Sequence, residues 1–403
     1  MIEEGEYKKP TKPFRSSNAV FEEAEPEYLT RDNKGSLPSS FCWTNKNGHS
    51  YIGPIRGQGD CGSCYAFSAC AAAEGTYNWA TGKYDGNRAE FSESFIAWCL
   101  GRLSQYSSHF FGCDGADYDY AELDALCAIG ICSAADFPYQ ESDPGSCTHW
   151  GDPRKVFASW HRVSCEDIDG IKTAIMTYGV VDAAVKAGGW VYNSGIYEDS
   201  LTNCPGSPCD YTSTDHAIGL VGWNDNSNPE TNGYWILRNS WGTSWGENGY
   251  MRIKYRSSRV ACEVCYLVYP SNTSYGTPYS WLGSYFTNNY DVAETNDVDN
   301  DGLLTWEEYV TGTDPTNQAS VFAVLNQGYL NASNYIVWYG TTNSGVTNAF
   351  GMYRGTNLII NTWNLITKSI ARNPTGTNTW WDTNAPASVP VFYRPMATNA
   401  GSL

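Results

Sequence analysis

The sequence predicts an α+β fold in which a helical half precedes a sheet-rich half, with a small all-β sandwich after them. Three observations predict it. Helical runs at Cys64–Trp79 and Tyr118–Ile129 come first, and the Ala-rich first run is long enough to be a buried helix. After residue 180 short aromatic and β-branched runs take over, at Val180–Val185, His216–Trp223, Tyr234–Asn239 and Tyr250–Tyr255, separated by Gly, Asn and Pro. All 14 cysteines lie between Cys42 and Cys265, so cysteine usage stops before the last part of the chain begins.

Taken in order, residues 1–36 mix Glu, Lys, Pro and Asn with scattered aromatics and read as an extension or prosegment remnant. Residues 37–269 have globular composition and hold the helical and sheet-rich halves. Pro270 to Pro278 is polar and Pro- and Gly-containing, which marks 270–290 as a linker. An acidic loop region fills 291–318. In 319–403, candidate strands at Tyr335–Tyr339, Phe350–Arg354, Trp363–Ile370, Thr379–Asp382 and Val389–Arg394 have the regular spacing of an antiparallel sandwich, and Pro390 confines the last to a sheet edge.

Composition narrows the function. A chain of 403 residues exceeds what one core usually serves, and 41% hydrophobic with 15% aromatic residues excludes a disordered chain. The 43 acidic against 25 basic side chains give a net charge of -18, which repels phosphate backbones and excludes nucleic acid and anionic lipid as primary partners. No window approaches the apolar length of a spanning helix. Clustered cysteines read as a disulfide framework made in an oxidising compartment, so a secreted protein is expected. The N-terminal Met-Ile-Glu-Glu-Gly-Glu-Tyr-Lys-Lys-Pro is not a signal peptide, so either a leader has been removed or the expectation of secretion is wrong.

The chemistry concentrates in Gln58-Gly59-Asp60-Cys61-Gly62-Ser63-Cys64-Tyr65-Ala66-Phe67-Ser68. Glycines let the backbone turn tightly into a helix, whose N-terminus stabilises a thiolate on Cys64. A thiolate alone cannot turn over an amide, because the leaving amine needs a proton and the acid needs a fixed position. Of five histidines, His216 begins an apolar strand, while His49, His109, His149 and His161 stand in polar segments. Asn239, in Arg238-Asn239-Ser240-Trp241-Gly242, supplies the carbonyl that orients the ring, and Trp241 covers that hydrogen bond. Gln58 and the Cys64 backbone N–H can bind the oxyanion.

With these blocks, plus Leu37-Pro38-Ser39-Ser40-Phe41-Cys42-Trp43, Gly112-Cys113-Asp114-Gly115-Ala116 and Asn239–Tyr250, the chain resembles the papain-like cysteine peptidases from Leu37 to Tyr269. The resemblance implies a two-lobed fold, one lobe helical and one β-barrel-like, with Cys64 and His216 facing across a cleft and peptides hydrolysed through a thioester. It implies that Gly62, Gly115, Ala116, Asp117, Asp215 and Trp241 line the substrate. Cys42 stands where the family usually has Asp, Tyr65 where it has Trp, and Ala116 where it has a second Gly, so the Ala116 Cβ either narrows the cleft or is tolerated. Asp117 falls at the wall of the second specificity pocket, which predicts a preference for a basic residue two positions before the cut; a solvated loop carboxylate is the plainer reading. The resemblance also implies bridges Cys61–Cys113 and Cys99–Cys147, and ties Cys204 and Cys209 to Cys262 or Cys265. Cys42, Cys70, Cys127, Cys132 and Cys165 stay unassigned, and with one nucleophile among 14 at least one further thiol is left free. A zinc site of Cys204, Cys209, Cys262 and Cys265 is the alternative.

Asp297-Val298-Asp299-Asn300-Asp301-Gly302-Leu303-Leu304-Thr305-Trp306-Glu307-Glu308 follows a twelve-residue calcium loop. Asp297, Asp299 and Asp301 occupy positions 1, 3 and 5, Leu303 offers its carbonyl and Glu308 binds through both oxygens. It resembles the EF-hand-like loops of bacterial secreted proteins and thrombospondin type 3 repeats, and predicts one structural Ca2+. The last module carries Trp338, Trp363, Trp380 and Trp381, for core packing or for a surface or glycan target. The expectation is a secreted, monomeric cysteine endopeptidase acting on proteins or peptides without a catalytic cofactor. An exopeptidase or transpeptidase on the same residues, and a surface-binding pseudopeptidase, are its rivals.

Overall fold

A computed structural model of the chain describes residues 37–117, 120–202, 204, 214–226, 233–331, 333–340, 349–356, 363–386 and 391–397. The chain divides between Pro270 and Ser271 into two compact units.

The first unit is organised by helix α1 (Cys64–Ala80), where Ala, Ser and Gly keep the cylinder thin and nearly every residue is buried. Gly75 is required for this, since a Cβ there would meet the Val180 backbone nitrogen at 2.7 Å. Thr81 ends the helix by donating to the Tyr77 carbonyl through both its N–H and its hydroxyl. Helix α2 (Ala121–Ala128) starts later than the predicted Tyr118, and Tyr118 itself lies outside the described residues. Helix α3 (Ile168–Tyr178) is absent from the elements the sequence predicts, although Ile168, Ile171, Ala174 and Ile175 recur at helical spacing. Its brackets are nonetheless clear: Asp167 accepts from Gly170 N–H at 2.9 Å, and Gly179 leaves it at φ 121°.

Strands β1 (Ser40–Cys42), β4 (Ser159–Arg162), β5 (Val181–Val185), β6 (Ile196–Tyr197), β7 (His216–Asn224), β8 (Tyr234–Arg238), β9 (Tyr250–Lys254) and β10 (Glu263–Val268) form one sheet ordered β4-β10-β5-β7-β8-β9-β6, with β1 on β7. A short ribbon pairs β2 (Ile131–Cys132) with β3 (Arg154–Lys155). In the register, His216 faces Val185 and Gly219 faces Arg238, which sets the start of β7 beside the end of β8. Gly222 lets β1 approach, since a Cβ there would collide with the Phe41 carbonyl. One core surrounds α1 and α2 with Phe95, Trp98, Phe110 and Leu126; a second fills the sheet with Trp43, Val221, Trp223 and Trp235.

Four charges are buried where α1 passes under the end of β8. Glu74 and Glu93, each 1% exposed, face Arg56 and Arg238. Arg56 Nη1 reaches Glu93 at 3.0 Å and pairs with Glu74, while Arg238 Nη1 reaches Glu74 at 3.3 Å. Phe91 N–H also donates to Glu74 at 3.0 Å. Burial pushes the Glu93 carboxyl up to about 7 against the pull of Arg56. Glu74→Ala leaves both guanidinium groups facing a hole, and a loss of about 3–5 kcal/mol in urea unfolding is expected; a loss below about 1 kcal/mol would show that the network is dispensable.

In the second unit, residues 270–290 are more than the linker the sequence predicts. They contain helix α4 (Tyr279–Tyr285), which packs with α5 (Tyr290–Glu294) and α6 (Thr305–Thr311) through Trp281 on Tyr309 and Tyr279 OH to Asp291. The aromatic density that makes this possible is masked in the sequence by its Pro, Ser and Thr content. Six strands follow: β11 (Val324–Leu330), β12 (Ser333–Tyr339), β13 (Ala349–Gly355), β14 (Asn364–Ala371), β15 (Thr377–Asp382) and β16 (Phe392–Met396). They make two three-stranded antiparallel sheets, β11-β12-β15 and β14-β13-β16, sharing a cluster of Ile336, Trp338, Phe350 and Met352. The last strand starts at Phe392, with the predicted Val389 and Pro390 outside the described residues, and Pro395 places it at an edge. Strand β11 has no forerunner in the sequence reading.

Candidate active site

Cys64 opens α1, preceded by a turn that needs glycine: Gly62 N–H donates to the Cys113 carbonyl at 3.0 Å, and a Cβ on Gly62 would collide with that same oxygen. The Cys61–Cys113 disulfide clamps the two segments together. The sulfur receives a hydrogen bond from the backbone of Ala217, next after His216, so the helix start and the head of β7 converge. Ser68 on α1 donates to the Ile218 carbonyl at 2.7 Å and fixes the same approach one turn further on.

His216 Nε2 lies 2.8 Å from Asn239 Oδ1. Ser240 N–H donates to that same Oδ1 at 2.8 Å, so the atom is an oxygen and Nε2 carries the hydrogen. Nδ1 is thereby left to exchange a proton. Trp241 lies 4.8 Å from the ring centroid of His216 at 30°, and Trp190 meets it edge-on at 6.1 Å. These rings and Trp245, 5.1 Å from Trp241, keep water off the bond. His49, His149 and His161 are engaged locally with Asp85, Asp152 and Ser159.

Gln58 is buried and held from two sides: its Nε2 donates to the Cys61 carbonyl at 2.8 Å and its Oε1 accepts from Ser240 Oγ at 2.6 Å. One amide hydrogen remains for a substrate oxygen. Tyr139 donates to the Gln58 carbonyl at 2.8 Å and lies 2.7 Å from Ser63 Oγ. The sequence offers no signal for Tyr139 or Trp190; Ser240 is hidden beside Asn239, its role visible only in three dimensions.

Burial, with the charges of Glu122 and Asp182, pushes the Cys64 thiol up to about 11, and burial pushes the His216 imidazole down. Neither charge is favourable by itself. Proton transfer from sulfur to ring creates both together, and their attraction, with the α1 N-terminus, opposes the cost of burial.

The remaining cleft residues separate by environment. Ala116 is 3% exposed and its side chain belongs to the helical core, so the Cβ is tolerated there. Gly115 adopts φ 98°, which another residue would strain. Asp117 is partly exposed, its N–H bound to the His109 carbonyl at 2.9 Å. Asp215 accepts from Ala187 N–H at 2.7 Å and from Lys186 at 2.8 Å. Tyr65 stacks on Phe110 and donates to the Gly112 carbonyl at 3.2 Å, so its ring fits the helix start.

Bridges join Cys99 to Cys147 and Cys204 to Cys262, and Cys165 is also disulfide-bonded. Cys209 lies outside the described residues. A bond between Cys204 and Cys262 removes two of the four thiolates that the zinc alternative needs. Cys42, Cys70, Cys127 and Cys132 keep free thiols.

In the second unit the carboxylates of Asp297, Asp299 and Asp301 converge with ligand atoms within 4.8 Å of one another. Asn300 at φ 62° and Gly302 at φ 100° turn the loop, and Leu303 N–H donates to Asp301 at 2.8 Å. Leu304 N–H donates to Glu307, which frees Glu308 to face the loop from the first turn of α6. Glu308 is fully buried with the Thr313 side chain as its hydrogen-bonding support, and one oxygen each of Asp299 and Asp301 has no partner. Burial and the facing Asp299 and Asp301 push Glu308 up to about 8.

Residues 37–269 match the family described as papain family cysteine protease, and the chain belongs to that family. That family is one of hydrolases. Among curated relatives, a senescence-specific cysteine protease of Arabidopsis thaliana is 31% identical over 224 residues, 55% of this chain and 57% of that one. A cathepsin L-like peptidase of Aedes aegypti is 30% identical over 60% of this chain and 66% of its own. The chain thus spans little more than half the length of the first of them. A crystal structure of a Carica candamarcensis cysteine protease in complex with E-64 aligns with 26% identity and a TM-score of 0.47, over 58% of this chain and 99% of that one.

Proposed function

We propose that the protein is a secreted cysteine endopeptidase in which Cys64 attacks, His216 carries the proton, Asn239 orients the ring and Gln58 stabilises the oxyanion. The observation that carries this reading is the His216–Asn239 bond of 2.8 Å at the strand end that meets the Cys64 helix start. The two-lobed arrangement implied by the family resemblance places the peptide between them, along Gly115 and Ala116, with Asp215 and Trp241 also lining it.

Cys64 Sγ bonds to the scissile carbonyl carbon and its proton passes to His216 Nδ1. The oxyanion meets the free Gln58 amide hydrogen and the Cys64 N–H. The ring returns the proton to the amine, the C–N bond breaks, and a thioester remains. Water, deprotonated by the same nitrogen, attacks the thioester and releases acid and thiol. Asn239 holds Nε2–H throughout.

Activity needs the sulfur deprotonated and the ring protonated, so kcat/KM follows a bell against pH. Hydrogen bonding to Asn239 favours the protonated ring. Asn239→Ala removes that support, and the descending limb is expected to move to lower pH; a limb that stays in place assigns the orienting role elsewhere.

An exopeptidase or transpeptidase on the same residues needs one end of the cleft blocked, by residues 1–36 or by the Cys204–Cys209 insertion; residues 1–36 and most of that insertion lie outside the described residues. The complete catalytic set argues against a pseudopeptidase. Mass spectrometry of a digested protein library, wild type against Cys64→Ala, tests the reading. Internal cuts that vanish in the variant support it, trimming at chain ends supports the rival, and identical digests from both proteins reject catalysis by Cys64. Asp117, partly exposed, serves a basic residue two positions before the cut. On a fluorogenic dipeptide panel Asp117→Ala should lower the Arg preference by about 5- to 10-fold, and an unchanged panel makes it a loop carboxylate.

Disulfides support the oxidising exterior as destination. No described helix is long and apolar enough to cross a membrane. The protein acts as a monomer without a cofactor in the reaction. The converging carboxylates of Asp297, Asp299 and Asp301, with an unpartnered oxygen on each of the last two, and the facing Glu308 fit one Ca2+, with the Leu303 carbonyl as further ligand; the ion supplies structural charge and no chemistry.

A further inference from the structure

The outer face of the β11-β12-β15 sheet has a composition unlike the rest of this acidic chain. Strand register sets Gly328, Tyr335 and Trp381 in one row and Asn326, Val337 and Thr379 in the next. Ile336, Trp338 and Trp380 of the same strands point the other way, into the shared core. The outer rows carry no charge: Asp382, the one charged residue of these three strands, lies on the core side, 3% exposed and paired with Arg354.

Tyr335 and Trp381 are neighbours across β12 and β15, ring centroids 5.1 Å apart at 45°. Trp381 is 42% exposed. The Tyr335 ring lies down over β11 because Gly328 has no side chain; a Cβ there would meet its hydroxyl at 2.9 Å. Two rings are thus laid along the sheet surface, flanked by the amide of Asn326 and the hydroxyl of Thr379, both exposed.

We propose that this face binds a neutral polysaccharide chain, with successive sugar rings stacking on Trp381 and Tyr335 and hydroxyls bonding Asn326 and Thr379. The chemistry is complementary on each count. Aliphatic C–H faces of a pyranose match aromatic rings, and uncharged hydroxyls match amides and hydroxyls. The lack of cations on the face, in a chain of net charge -18, disfavours uronate polymers and anionic lipid. A peptide added as a strand to the open edge of β11 is disfavoured by the register shift between Val324 and Asn326 and by Gly328 in mid-strand.

The test uses the full chain with calcium present and Cys64→Ala to prevent self-digestion, run through native gels cast with mixed-linkage β-glucan, xylan or mannan, and with polygalacturonate as the charged control. Retardation by at least one neutral polymer and none by polygalacturonate is expected. Trp381→Ala and Tyr335→Ala should each weaken it by about tenfold, Trp381→Tyr should restore most of it, and Leu365→Ala on the other sheet should leave it unchanged. Unaltered thermal unfolding confirms that the variants fold; if Trp381→Ala does not, the comparison of Trp381→Tyr with Tyr335→Ala decides. Retardation by none of the three neutral polymers overturns the proposal, as does binding that survives both ring removals. So does self-association in sedimentation that Trp381→Ala abolishes, which would give the face to a second copy. Peptidase assays on the wild-type chain are separate, so either reading can fail alone.

Discussion

Cys64→Ala is expected to lower kcat/KM for peptide hydrolysis by about 10⁴-fold or more, and His216→Ala added to it to cost little further. The two act as one unit: the thiol has a partner for its proton only in Nδ1, because Nε2 is committed to Asn239, whose oxygen is in turn fixed by Ser240 N–H. Burial makes each charge costly alone, raising the thiol and lowering the imidazole, so removing either member strands the other in its neutral form. Parallel kinetics of the two single variants and the double variant check this. Losses that multiply would mean that Cys64 and His216 contribute independently, and the proton-transfer pair would be wrong. His216→Ala must also slow alkylation of the Cys64 thiol by iodoacetamide, a reaction that requires no substrate binding. Unchanged alkylation would locate the activating base elsewhere.

The parts of this site legible in the sequence are those whose residue type is unusual or whose neighbours are constrained. Cys64 is marked by Gly62 before it, and Gly62 is irreplaceable because a Cβ there would collide with the Cys113 carbonyl oxygen. His216 is found because histidines are few and it heads an apolar strand. Residues that act by position alone leave no such mark. Tyr139 is one of 29 tyrosines, and nothing local says that its hydroxyl bridges Ser63 and Gln58. The Glu74–Arg238 contact joins positions far apart in the chain, and a charged residue in an Ala-rich helix reads as a solvated one until the fold buries it. The same limit explains 270–290, where turn-forming residues hide the aromatic contacts that make α4 part of a folded unit, whereas α3 carries a helical period and an Asp167 cap that local pattern does encode. Period and punctuation identify elements; which surfaces meet is decided by contacts that local pattern does not encode.

Chelation with EGTA is expected to lower the melting temperature of the C-terminal unit by about 10 °C, from about 3 kcal/mol of stabilisation by a saturating ion. The sharper expectation is a change of sign at Glu308. Without calcium, Glu308 is a buried carboxyl facing Asp299 and Asp301 with Thr313 as its hydrogen-bonding support, and burial with those carboxylates raises it to about 8. Near neutral pH that carboxyl is mostly protonated, and Glu308→Gln replaces it with a neutral group of nearly equal volume, so in EGTA the variant should melt no lower than wild type, and higher above pH about 8, where the wild-type carboxyl ionises. With calcium the order reverses, because an amide gives one neutral oxygen where the carboxylate gives two charged ones, and the variant loses most of the ion's stabilisation. Calcium should also outperform magnesium, which binds reluctantly in a cradle that offers a bidentate carboxylate. Differential scanning calorimetry of both proteins with EGTA, Mg2+ and Ca2+ reads all of these at once. A melting temperature indifferent to Ca2+ in the wild type, or a variant less stable by the same amount with and without it, would mean that Glu308 is held by packing and that the loop carries no ion.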